Sequence, residues 1–89
     1  MDEVIILTDN GEKVLKYMQS HDEILVGKEI GEATGVKGVY PVLQSLIKRN
    51  LVVMDAPVIR NFTNTKGIVL PKEYKTYKLT DKGRSFIIN

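Results

Sequence analysis

The 89-residue sequence predicts a single α+β domain in which helices precede a long β-hairpin and a short final helix. Three observations predict it. Val39, Val42, Leu43, Leu46 and Ile47 recur at helical spacing. The stretch "YKTYKLT" (residues 74–80) alternates, with Tyr77 and Leu79 on one face and Thr76 and Lys78 on the other. Between the β-rich stretches lies "TNTKG" (residues 63–67), rich in residues that turn the chain.

Taken in order, "MDEVIILTDNG" is acidic ahead of a short apolar run and has no basic segment, so it reads as structure and not as a signal peptide. A first helix is expected over residues 10–20, with Asp9 and Glu12 spaced as a capping box and Val14, Leu15 and Met18 inward. His21-Asp22-Glu23 breaks that pattern. "ILVG" (24–27) is a short strand before a second helix, 28–34, whose inward residues are Ile30 and Ala33, with Val36 closing the face. Gly35 stands where a helix ends in the left-handed conformation.

The third helix starts near Gly38, which settles an apparent conflict. Proline inside a helix costs ~3 kcal/mol, but in the first turn the N–H groups have no helical partner anyway. Pro41 is therefore a start signal, and Asn50 ends the helix. "LVVM" (51–54) is strand-like, and the hairpin continues through "VIRNF" and "IVLP". Pro57 and Pro71 are expected to break or bulge it, leaving a flexible outer part. Thr80 caps a last helix over "DKGRSFII".

Composition narrows the function. With 43% hydrophobic and 27% charged residues the chain is globular in character. It has no apolar run long enough to span a membrane. Cysteine is absent, which excludes disulfides, thiolate catalysis and cysteine-bound zinc and fits a reducing cytoplasm. The single histidine, His21, lies in a polar helix-end cluster and reads as a capping or solvated residue. No serine has an evident histidine partner, so neither enzyme activity, cofactor nor metal is expected.

The net charge of +2 conceals an asymmetry: residues 1–36 carry −5 and residues 37–89 carry +7. Glycines 27, 31 and 35 recur at every fourth position, but capping, close helix packing and a turn explain them better than a membrane dimer motif. "GVKG" (35–38) resembles the loop with which KH domains clamp single strands; the isoleucine expected three residues later is Pro41 here.

"GKEIGEATGVKGVYPVLQSLIKRNLVV" resembles the helix-turn-helix and following strand of winged helix-turn-helix domains. "YKLTDKGRSFI" is similar to the strand-to-helix ending of MarR-like and related bacterial or phage-type regulators. The resemblance covers residues 9–88. It implies a winged helix-turn-helix fold with a three-helix core, a helix-turn-helix at about 28–49 and a wing at about 51–79. It also implies a DNA-binding protein acting in transcription regulation. The alternative is an interaction module docking on transcription or replication machinery. The segment between the wing strands is longer than usual and lacks the Asp-x-Arg pattern of MarR relatives, so wing contacts do not carry over.

On a helical wheel the third helix turns Lys37, Pro41, Gln44 and Lys48 outward, with Tyr40 and Ser45 on the flanks and no acid among them. Placed in a major groove, Gln44 suits adenine, and Lys37 or Lys48 suits guanine or phosphate. Tyr40 and Ser45 suit phosphate oxygens. The wing brings Arg60 and Lys66, with Lys72 and Lys75, to the backbone or minor groove. Against this stand two blander readings: a solvated helix face, and lysines that keep exposed strand edges from pairing. The expected partner is double-stranded DNA, with no membrane involved and the choice between monomer and dimer open.

Overall fold

The computed structural model describes residues 5–88 of the chain; Asp2 and Glu3 of the acidic segment lie outside them. The protein is α+β; the described residues form four helices and one three-stranded antiparallel sheet. In chain order the elements are α1 (Asp9–Ser20), β1 (Leu25–Val26), α2 (Gly27–Thr34), α3 (Val39–Lys48), β2 (Val52–Thr63), β3 (Val69–Leu79) and α4 (Asp81–Ser85). The sheet order is β1-β3-β2, so β3 is central at its inner end.

Helix α1 is capped one residue earlier than the Asp9–Glu12 spacing predicts. Thr8, in extended conformation, accepts the Gly11 N–H on Oγ1 at 3.1 Å, which satisfies one of the orphan donors of the first turn. Asp9 and Glu12 remain in that turn, where their charge opposes the positive end of the helix. Val14, Leu15 and Met18 are buried as their spacing predicts.

Helix α2 turns a different stripe inward than expected. Ala33 is exposed, and the inward line runs through Gly27, Ile30, Gly31 and Thr34. Small residues on that line permit close approach. A Cβ on Gly27 would stand 2.8 Å from the Tyr77 ring and 3.0 Å from the Tyr40 ring, and one on Gly31 would stand 3.1 Å from Val39. Helix α2 is thus pressed against α3 and β3. Gly35 ends it at φ 72°, in the left-handed region where a Cβ is penalised.

Helix α3 buries Val39, Leu43 and Leu46, with Val42 and Ile47 half-buried beside them. Pro41 is its third residue, so its missing N–H removes no ladder bond. The helix closes in a Schellman arrangement. Asn50, at φ 62°, donates to the Ile47 carbonyl at 2.9 Å, and Leu51 donates to that of Leu46 at 3.1 Å.

One core joins these faces: Val14, Leu15 and Met18 from α1, Ile30 from α2, Leu43 and Leu46 from α3, and Leu25, Leu51, Val52, Tyr77 and Leu79 from the sheet region. Its far end is closed by the C-terminal segment. Thr80 Oγ1 caps α4 by accepting from the Gly83 N–H at 3.0 Å. Gln19 then reaches across from α1 to donate to the carbonyls of Gly83 and Phe86. The last helix is shorter than predicted, because the chain turns extended at Phe86.

Candidate nucleic-acid interface

The turn and helix that carry the predicted base-reading residues are positioned by glycine at both ends of the turn. Gly35 and Gly38 both adopt positive φ, 72° and 68°, which folds residues 35–38 tightly enough to set α3 across α2. Lys37 therefore stands in the turn ahead of α3, not on the helix itself as the wheel assumes. Pro41, Gln44, Ser45 and Lys48 are exposed on the helix, and Tyr40 is 43% exposed with its ring edge over Gly27. No acidic residue occurs between Lys37 and Lys48. Gly38 offers no side chain to cap the helix, so the helix start has no side-chain cap hydrogen bond.

Strands β2 and β3 form a long ribbon that gives the molecule its 55 Å length against 23 and 20 Å in the other directions. The register slips once, between Asp55 and Val58 on β2. That single bulge holds Pro57, as a proline in a paired strand requires. Thr76 is buried beneath it and donates to the Ala56 carbonyl at 2.8 Å. Pro71 behaves otherwise: it pairs with Asn61 in unbroken register. Strand β1 covers β3 only at Thr76 and Tyr77, so at Pro71 the second edge of β3 is open and a missing donor is tolerated.

The ribbon tip is closed by Asn64. Its Oδ1 accepts from the N–H groups of Lys66 at 2.9 Å and Ile68 at 3.0 Å, while Gly67 takes φ 79°. Lys66 is thereby held at the outermost turn. Arg60, the other predicted wing contact, is engaged: its guanidinium donates to the Glu29 carboxylate on α2 in an exposed ion pair. Lys72 lies across from Arg60 in the register, its ammonium 5.2 Å from the Phe62 ring centre and 5.4 Å from that of Tyr74. Both distances suit a cation–π contact.

Where the ribbon leaves the body, Lys28, Tyr40, Lys72, Glu73, Tyr74 and Lys75 line a shallow cleft beside the start of α3. Tyr77 is buried with its ring against Gly27, and burial lifts its phenol above the usual value, with Tyr40 adding to the effect. Lys28 and Tyr74 were invisible to the linear reading, since neither lies on α3 and only the β1–β3 pairing brings them together. Glu29 was equally hidden as the partner of Arg60. The one signal available was that Lys28 and Glu29 open a helix next to a strand that must pair with something distant.

His21 closes α1 with its backbone N–H on the Tyr17 and Met18 carbonyls, and its ring lies 4.3 Å from that of Tyr17. Among the described residues no group of three His, Asp or Glu side chains could hold a metal ion, and no helix is long and apolar enough to cross a membrane. No protein-family model matches the sequence, and no curated protein matches it significantly.

Proposed function

We propose that the chain is a winged-helix DNA-binding protein that regulates transcription in the cytoplasm, with α3 in the major groove and the β2–β3 ribbon as its wing. The observation that carries this reading is the adjacency of an acid-free outward helix face to the cationic root of the ribbon. Lys37, Gln44, Ser45 and Lys48 are exposed on the turn and α3, and Tyr40 of the same helix lines the cleft with Lys28, Lys72 and Lys75 and one acid, Glu73. The element order and the β1-β3-β2 sheet are compatible with a winged-helix layout. A duplex laid on this surface meets cations over two separate elements, and the uncapped start of α3 presents N–H groups suited to a phosphate.

The test is a salt titration of binding to a mixed-sequence duplex. Phosphate neutralisation requires affinity to fall linearly on a log–log plot, by ~0.9 for each phosphate engaged. A flat response, or no binding at low salt, rejects the reading. A second reading, docking on a protein of the transcription or replication machinery, is favoured by the apolar side chains exposed along the ribbon, Ile59 and Val69 above all.

A further inference from the structure

Those apolar side chains are the least expected feature of the molecule. Ile59 is 70% exposed, Val69 58%, Ile68 51%, Leu70 44% and Phe62 41%. They lie along the outer part of a ribbon only two strands thick, on both of its faces: Phe62 and Leu70 share one with Arg60 and Lys72, while Ile59 and Val69 lie on the other. Phe62 and Leu70 face each other across the strands, and Ile68 and Val69 follow the tip. A ribbon so built cannot bury these groups within the chain. A patch of this kind, rimmed by polar groups, marks a surface that another molecule covers.

Charge decides which molecule. Arg60 is already paired with Glu29 of α2, and Glu73 lies opposite Ile59 on the other face, so the cations offered beside the Phe62–Leu70 pair are Lys72 across the strands and Lys66 at the turn. A second copy applied to the same face would set these cations against their own kind, and like charges facing each other at close quarters are repulsive. A polyanion is drawn to the same face. Shape adds to this, because a narrow two-stranded ribbon is the kind of β-element that nucleic-acid grooves admit. A broad lipid surface does not call for one.

Resting on the DNA-binding reading, we infer that the ribbon tip is a DNA-kinking device. It enters the minor groove with Lys66 on the phosphates and drives the Phe62–Leu70 pair between adjacent base pairs. Apolar wedges of this type partially unstack a step and kink the duplex by ~20–90°. Pyrimidine–purine steps such as TA yield most readily, so the device selects deformable sites without reading base edges. The Phe62 ring is held for this role by the Lys72 ammonium above it. The Arg60–Glu29 ion pair links the base of this outer segment to α2.

The experiment uses the full chain and a short mixed-sequence duplex with a central TA step. The duplex carries end labels for energy transfer and, in a second preparation, 2-aminopurine in place of the central adenine. Binding is followed separately by anisotropy. Wild type is expected to bring the ends closer and to raise 2-aminopurine emission on saturation. Phe62→Ala/Leu70→Ala should still saturate the duplex at higher protein concentration but leave both signals at the free-duplex level. Lys66→Ala should weaken binding and keep the full kink once saturated. Thermal melts of both variants should overlay wild type, since neither alters the core.

If wild type saturates the duplex with both signals unchanged, the kinking inference is wrong and the DNA-binding reading survives. If nothing binds, both fall. Anionic phosphatidylserine vesicles and sedimentation of the protein alone complete the test. Binding to vesicles without duplex binding assigns the tip to a lipid surface. A dimer that Phe62→Ala/Leu70→Ala dissolves, without kinking by wild type, assigns it to a second copy. Either result overturns the inference.

Discussion

Arg60 on β2 and Glu29 on α2 form an ion pair that ties the ribbon to the helical body across 31 residues of sequence. Both side chains are about half exposed, so the pair is worth only ~0.2–1 kcal/mol. Its larger consequence is electrostatic: Glu29 neutralises a cation that would otherwise be available to a phosphate. Glu29→Gln should leave the urea midpoint within that small range yet tighten duplex binding and steepen its salt dependence. Unaltered binding would mean that Arg60 takes no part in the interface.

Leu46 is the clearest test of the core. It is 1% exposed and lies where α3 meets the rest of the cluster. Leu46→Ala leaves a cavity and should cost ~2–5 kcal/mol, measured by urea unfolding. Ala33→Ser, on the face of α2 that the structure leaves in solvent, should be nearly neutral.

Two glycines should fail for different reasons. A Cβ on Gly83 would stand 1.8 Å from the Leu51 carbonyl oxygen, so Gly83→Ala must push α4 off the end of the sheet. At Gly35 nothing lies within 4 Å, and Gly35→Ala pays only for its φ of 72°, ~1–2 kcal/mol. Asparagine, which tolerates that conformation, should recover part of the loss at Gly35 and none at Gly83. Equal recovery at both would refute the packing argument at Gly83.

Hydrogen exchange should divide the sheet. Thr76 and Tyr77 pair on both sides, with β1 and with β2, while residues 58–63 and 69–74 pair only with each other. The outer ribbon should therefore exchange faster than the three-stranded root. Protection equal to that of Thr76 and Tyr77 would show the ribbon to be a rigid arm.

Gln44→Ala separates reading from positioning. If Gln44 meets adenine, its loss should relax preference at one base position by ~1–3 kcal/mol while leaving the salt slope intact. Selection from a duplex library measures this directly, and an unchanged profile would leave Gln44 a solvated residue.

The helices and the element order were legible because apolar spacing is local: Val14, Leu15 and Met18, or Leu43 and Leu46, need only their own helix to declare themselves. Pro41 and Asn50 spoke equally clearly, since their backbone constraints are intrinsic. Ala33 misled because α2 is short and its inward line is drawn by glycines, which carry no hydrophobic signal. Pro71 misled because whether a missing N–H matters depends on which strand lies alongside. The candidate site was legible on α3 and obscure elsewhere: Lys28, Glu29 and Tyr74 acquire meaning only through pairing between distant segments. The exposed apolar ribbon was the hardest to foresee, as Ile59 and Val69 look like ordinary strand residues until their surroundings prove empty.

The pairing of Leu25 with Tyr77 has a consequence for how the protein is made. At a synthesis rate of ~5–20 residues per second, roughly 3–10 s separate the appearance of these two residues. For most of that interval α1 and α2 exist without the strand that completes their core, and Ile30 and Met18 have no sheet to rest on. The ribbon, whose strands are neighbours in sequence, can zip in microseconds once its turn is made. Folding of this domain is thus completed by one rapid closure, in which a preformed hairpin captures waiting helices. A ribosome stalled before Tyr77 would hold a chain unable to fold.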